Sequence, residues 1–178
     1  MADALSIFAP MLADLDAAGP DGLRVEAWGP VSAAVAMAYR GAERAAGERL
    51  SAFVRSDPDA RILNTGPGTW LILRNDVARA SPDLDDVAAT FDQGDGYALL
   101  RLHGEAAMTV LQKGIFVDLD RALADHGSCV SSVIAHVNVT VWRVSRAVYG
   151  VAVPRSFAGS FWHWLNAAAA AEGLSIGR

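Results

Sequence analysis

Tyr149-Gly-Val-Ala-Val-Pro-Arg-Ser-Phe-Ala-Gly-Ser-Phe-Trp-His-Trp-Leu165 is the stretch from which the rest of the chain is read. Its opening, Tyr149 to Val153, is a short apolar and partly β-branched run. Pro154 closes it, because proline has no N–H to give to a sheet ladder. Ser156 then offers a side-chain oxygen to the unpaired N–H groups of a first helical turn, so a helix is expected directly after the strand. From Phe157 the residues Phe161, Trp164, Leu165 and Ala168 recur at the spacing of one buried helical stripe. At about 100° per residue, Trp162 projects roughly 120° from the centre of that stripe and His163 lies nearly opposite it. Trp162 thus has no evident place in the chain's own core. An indole in that position covers a neighbouring loop, stacks on a ligand, or is buried against another polypeptide, where tryptophan is enriched as an anchor. Trp162 and His163 are the candidate partner-interface residues.

Working outward, 178 residues that are 52% hydrophobic and 20% charged suffice for one large domain or two small lobes with a proper core. The net charge of -5, with Lys113 the single lysine, offers no basic patch for phosphates and disfavours nucleic acid. Cys129 is the only cysteine, so neither a disulfide framework nor a CxxC metal site is possible, and a reducing compartment fits. No run approaches the roughly 20 apolar residues of a membrane-spanning helix, and Met1-Ala-Asp-Ala-Leu-Ser6 lacks the positive opening of a signal peptide. A soluble cytoplasmic protein is expected.

Ile7, Phe8, Met11, Leu12 and Leu15 form the pattern of a short amphipathic helix, ended by Gly19-Pro20-Asp21-Gly22, and residues 1–22 read as an N-terminal arm. Leu23 to Trp28 alternates as a half-buried strand does, and an Ala-rich helix is expected from about Val31 to Val54, weakened by Gly41 and Gly47. Strands around Arg61 to Asn64 and Trp70 to Arg74 flank the turn Thr65-Gly66-Pro67-Gly68. The acidic run Ser81 to Asp95 reads as a solvated face, and Leu84, Val87, Ala88 and Phe91 within it could seed a short helix. Tyr97 to Leu102 is a strand, and Gly104-Glu105 opens a helix that Lys113-Gly114 closes with a left-handed cap. Two further strands, Val130 to Val137 and Val139 to Val144, turn at Asn138, and Gly173 stops the last helix. This order gives an α+β fold: antiparallel sheets with helices packed on one face, in two overlapping ferredoxin-like units, within one compact body over residues 1–178.

Catalytic patterns fail one by one. Ser128, Cys129, His136 and Asp118 lack the nucleophile elbow or spacing of a hydrolase triad. His103, His126, His136 and His163 are scattered singly, without zinc-ligand spacing, and His103 and His136 read as hydrogen-bonded structural histidines. Gly66-Pro67-Gly68 precedes a strand and not a helix, so it is no dinucleotide fingerprint. The five aspartates of 81–95 lack the spacing of a calcium loop. No catalytic, cofactor-binding or metal residue is assigned in this chain. A well-built core without a self-sufficient active site suits a protein that works by joining something else.

Three blocks carry a resemblance. Leu100-Arg-Leu-His-Gly104 through Gly114 with Asp118-Leu119, then Ala135-His136 with Val139 and Trp142-Arg143, then Val153-Pro-Arg-Ser-Phe-Ala158 with Trp162-His-Trp-Leu165 resemble the gamma subunit of bacterial heterotetrameric sarcosine oxidase. The Gly66-Pro67 and Trp70-Leu71 hairpin is similar to an earlier block, and coverage runs from about residue 61 to 172. The resemblance implies a noncatalytic accessory subunit, similar in fold to part of the folate-binding region of glycine-cleavage aminomethyltransferase. It implies alpha, beta and delta subunits as partners, carrying FAD, FMN, NAD and the tetrahydrofolate site. The assembled enzyme would demethylate sarcosine to glycine and pass the one-carbon unit to tetrahydrofolate. Two alternatives stand beside it: a free-standing folate-dependent aminomethyltransferase-like protein, and a gamma-like subunit of a related N-methyl amine dehydrogenase. A general small-molecule binding module is a third possibility.

Overall fold

The computed structural model describes residues 11–12, 22–29, 32–75, 81–94, 96–125 and 128–177. In chain order the elements are β1 (Leu23–Ala27), β2 (Ser32–Ala38), α1 (Glu43–Ser56), β3 (Ala60–Gly66), β4 (Thr69–Arg74), β5 (Ala88–Asp92), β6 (Tyr97–His103), α2 (Ala106–Gln112), α3 (Leu119–Ala122), β7 (Cys129–Ile134), β8 (Val137–Ser145), β9 (Val148–Pro154), α4 (Ala158–Ala170) and β10 (Ile176–Gly177). The chain divides into two compact units, Met1–Gly29 with Tyr97–Arg178, and Pro30–Gly96. Most of the expected N-terminal arm lies outside the described residues, although Met11 and Leu12 are helical.

The larger unit is a six-stranded sheet in the order β10-β1-β6-β9-β8-β7. All its pairings are antiparallel except β1 with β10. Alternate residues of a strand point to one face. Leu100 and Leu102, Val139 and Val141, and Val151 and Val153 therefore meet Val110 and Leu111 of α2 and Phe161 and Leu165 of α4 in a single buried core. Fully burying a side chain of this size contributes about 1.5–3 kcal/mol, so this helix-covered face carries much of the unit's stability. The smaller unit is a four-stranded antiparallel sheet, β3-β4-β2-β5. On it Ala36, Trp70 and Ile72 pack with Ala46 and Leu50 of α1 and with Leu84 and Val87. The α+β class, with antiparallel sheets and helices on one face of each, is as expected. The overlap takes a specific form: β1, first in the chain, pairs with β6 in the sheet built from the chain's second half.

Several local expectations are overturned. The helix expected from Val31 begins only at Glu43, because Ser32–Ala38 is a strand running between β4 and β5. Its alanines favour helix by propensity, but Ala34, Ala36 and Ala38 face α1, and small side chains there let helix and sheet approach. Gly41, at φ 83°, makes the turn between them, and a Cβ on Gly47 would sit 3.6 Å from the Trp70 ring. The acidic run contributes a strand, β5, and not a helix. Asn138 lies within β8; the turn is Ala135-His136, both in the left-handed region, so His136 is a turn residue and not a strand one. Ser156 makes no cap: a 3₁₀ turn, Arg155–Phe157, leads into α4 and leaves Phe157 half-exposed, outside the buried stripe. Gly173, at φ 70°, ends α4 as expected, with Leu174 N–H donating to Ala169 C=O at 3.0 Å. Gly114 is not left-handed. Its role is close approach, since a Cβ there would lie 2.6 Å from Trp164 Cζ2 and 2.8 Å from Ile134 Cγ2.

Candidate functional site

On α4, Phe161, Leu165, Ala168 and Ala169 are buried, and Trp164 tilts against Phe161 with ring centroids 5.6 Å apart. Trp162, expected to lack a place in the chain's own core, is half-buried and packs against that core. The Asn166 amide donates to the Trp162 carbonyl at 2.8 Å, and His163 next to it is exposed. The two candidate residues are thus neighbours on one helix but unlike in setting: His163 is solvent-facing, whereas Trp162 is half-buried against the core. The bulk of α4 is committed to the core, and its exposed residues lie on the His163 side.

The sheet face opposite the helices carries a row that the sequence reading missed. Glu26 pairs with Arg101, Arg101 with Gly150, and Gly150 with Trp142, so these four residues lie side by side across β1, β6, β9 and β8. Trp142 is fully buried and lies so close over Gly150 that a Cβ there would be 2.1 Å from the indole. Trp28 stacks beside Trp142 at 5.4 Å, and the Arg101 guanidinium lies 4.1 Å from a Trp28 ring centroid, a cation–π distance. Arg101 Nη1 donates to Glu26 Oε1 at 3.1 Å. His103 Nε2 stands 3.3 Å from the same oxygen, close enough for an ion pair when protonated but without hydrogen-bond alignment. Partial burial raises the Glu26 pKa, but the Arg101 hydrogen bond and the nearby positive charges outweigh it and hold the carboxyl below its usual value. Trp142 Nε1 and Arg101 Nε are buried without a hydrogen-bond partner among the described residues. Strand alternation in Arg24 to Trp28 and Leu99 to His103 puts these residues on one face. Only the register, which sequence periodicity does not give, puts them in one row.

The third feature is the segment between α2 and α3. Gln112 Nε2 donates to the carbonyls of Ile115 at 3.0 Å and Val117 at 2.8 Å, and its Oε1 accepts from Leu119 N–H at 2.9 Å. The Asp118 carboxylate accepts from Arg121 N–H and caps α3. Ile115 and Leu119 are buried on either side, while Phe116 is fully exposed and Val117 partly so. The result is an ordered loop that holds an aromatic ring in solvent.

Cys129 and His136 lie at opposite ends of the β7–β8 hairpin. His136 is in the β7–β8 turn while Cys129 pairs with Trp142 near the hairpin's far end, roughly 20 Å away at strand rise, and Asp118 is occupied as a cap. Among the described residues no group of three His, Cys, Asp or Glu side chains could hold a metal ion. Among the same residues no helix is long and apolar enough to cross a membrane.

In fold the chain is similar to a chain of heterotetrameric sarcosine oxidase from Corynebacterium sp. U-96, solved with pyrrole 2-carboxylate, at 19% identity and a TM-score of 0.72 over 92% of this chain and 93% of that one. It is also similar to glycine cleavage system aminomethyltransferase T from Bartonella henselae, at 12% identity and a TM-score of 0.53. That likeness spans 92% of this chain but only 48% of the aminomethyltransferase, about half its length. No curated protein sequence matches the chain. The sequence profile described as sarcosine oxidase, gamma subunit family matches residues 45–172, from α1 almost to β10 and thus further toward the N-terminus than the three sequence blocks reach. The chain belongs to the sarcosine oxidase gamma subunit family.

Proposed function

We propose that this chain is the noncatalytic gamma subunit of a sarcosine oxidase-type heterotetramer. In this reading the alpha, beta and delta subunits hold FAD, FMN, NAD and the tetrahydrofolate site. The complex oxidatively demethylates sarcosine to glycine in the cytoplasm and passes the one-carbon unit to tetrahydrofolate. The observation that carries the reading is the family match across residues 45–172, joined to a fold shared with 93% of a chain from a heterotetrameric sarcosine oxidase. Trp162 and His163 are proposed as part of the surface that meets the large subunit.

Co-expression with the three other subunits, followed by native mass spectrometry, tests this. A stoichiometric four-chain complex that turns over sarcosine is expected, with no turnover by the isolated chain. Trp162→Asp should weaken assembly, and unchanged assembly would remove that residue from the interface. Turnover of a different N-methyl amine by the same complex would place the chain with the related dehydrogenases. The likeness to aminomethyltransferase T supports one other reading, a free-standing folate-dependent transferase. Tight tetrahydrofolate binding by the purified chain alone would favour it.

A further inference from the structure

Phe116 stands apart from the other exposed large hydrophobic residues. Met37, Tyr39, Phe91 and Phe157 each keep about half their surface covered, at 47–50% exposure, whereas Phe116 is at 102%. The same loop turns Ile115 and Leu119 into the core and leaves this ring in solvent. Three hydrogen bonds from the single side chain of Gln112, the Asp118 cap and the two buried flanking residues fix the backbone on both sides of the ring. A ring held in this way reaches a partner with little ordering left to do on binding.

The surroundings narrow the occupant. Asp118 and Asp120 are exposed and follow the ring closely in sequence, Arg121 is the one basic residue among the described residues 114–125, and Lys113 is paired with Glu172. Two copies meeting through this loop about a twofold axis would bring these acidic rims together, which opposes self-association. An apolar socket with basic side chains at its border complements both the ring and its rim.

We propose that the α2–α3 loop is a preformed docking knob whose Phe116 ring enters such a socket on another subunit of the assembly. The inference rests on the reading of the chain as one subunit of a heterotetramer and names a contact surface for it distinct from Trp162 and His163. The test reconstitutes the complex from the full chain and its alpha, beta and delta partners and measures the affinity of this subunit for the rest. Phe116→Ser should weaken association about 30-fold, as loss of a buried aromatic anchor does, while Phe116→Leu retains most of the affinity. If the wild-type chain assembles and Phe116→Ser assembles equally well, the knob is excluded and the subunit reading stands. If the wild-type chain joins no complex, both fail together. If the purified chain forms a dimer that Phe116→Ser dissolves, the occupant is a second copy and the proposal is overturned.

Discussion

Trp142 and Phe116 are both large aromatic residues in the larger unit, and the structure treats them in opposite ways. Trp142 is fully buried and is fixed by what touches it: the bare backbone of Gly150 on its neighbouring strand and the Trp28 ring beside it. Phe116 is fully exposed and is fixed by what holds its backbone, the Gln112 amide and the Asp118 cap. Where packing sets a residue's position, the consequence of changing it falls on folding. Where hydrogen bonds present a residue to solvent, folding is spared and the consequence falls on whatever meets it.

The largest effect expected from this contrast is at Gly150. A methyl group there would lie 2.1 Å from Trp142 Cε2, so the indole has to leave its site. Gly150→Ala should destabilise the chain by about 3 kcal/mol, read as a drop in the urea midpoint at unchanged slope. Pairing it with Trp142→Leu should give less than the sum of the two changes, since the smaller side chain makes room for the methyl group. Strict additivity would mean that the indole and Gly150 are not coupled and would remove one side of the contrast.

Gly114 tests how firmly the exposed loop is rooted. It lies at the end of α2, two residues before Phe116, with Trp164 and Ile134 too near to admit a Cβ. Gly114→Ala should destabilise by about 2 kcal/mol through overpacking, and it should also reduce assembly by shifting the loop's root. A loss of stability with assembly intact would show that the loop's position does not depend on this contact.

Much of this was legible in the sequence, and what escaped did so for physical reasons. The Tyr149–Val153 strand, the Phe161, Leu165 and Ala168 stripe and the Gly173 stop are local patterns whose meaning survives folding. The β2 strand was hidden because an Ala-rich run favours a helix in isolation, and only pairing with Leu71 and Leu73 on one side and β5 on the other makes it a strand. The Ala135-His136 turn was hidden because neither residue is at ease at positive φ, while Asn138 nearby is the better turn former. The candidate site was least legible. Trp162 was noticed because it breaks the helical stripe, yet half of it packs inward. Phe116 sits between Ile115 and Val117 as part of an apolar triplet, and nothing in that triplet says which member faces water. Gln112 decides it, through bonds to residues three, five and seven positions away.

A smaller effect is expected at Glu26, where the buried row reaches solvent. Its carboxyl is held below the ordinary value of 4.5 by Arg101 and His103, despite the opposing influence of burial. A carboxylate with a lowered folded-state pKa stabilises fully above the unfolded value, and this contribution fades as pH falls through the folded one. Between neutral pH and pH 3 the wild-type chain should therefore lose stability that Glu26→Gln never had. The difference at pH 7 should be at most about 1 kcal/mol, because the carboxylate is partly solvated. Thermal unfolding of both chains from pH 7 to pH 3 should give curves that converge at the acid end. Parallel curves would mean that the ion pair with Arg101 does not form in solution.

The smallest effect on folding, and the sharpest form of the contrast, is at Phe116 itself. Its ring is as open to water in the folded chain as in the unfolded one, so removing it changes neither side of the folding equilibrium, and Phe116→Ser should move stability by less than about 0.5 kcal/mol. The Gln112 bonds go to backbone carbonyls and an N–H that the substitution leaves in place. Amide exchange at Leu119, whose N–H donates to Gln112, reports on whether the loop keeps its shape: protection equal to that of the parent chain is expected. A clear loss of stability or of that protection would mean that the ring supports the loop from within, and the division between a residue held by packing and one held out for a partner would fall.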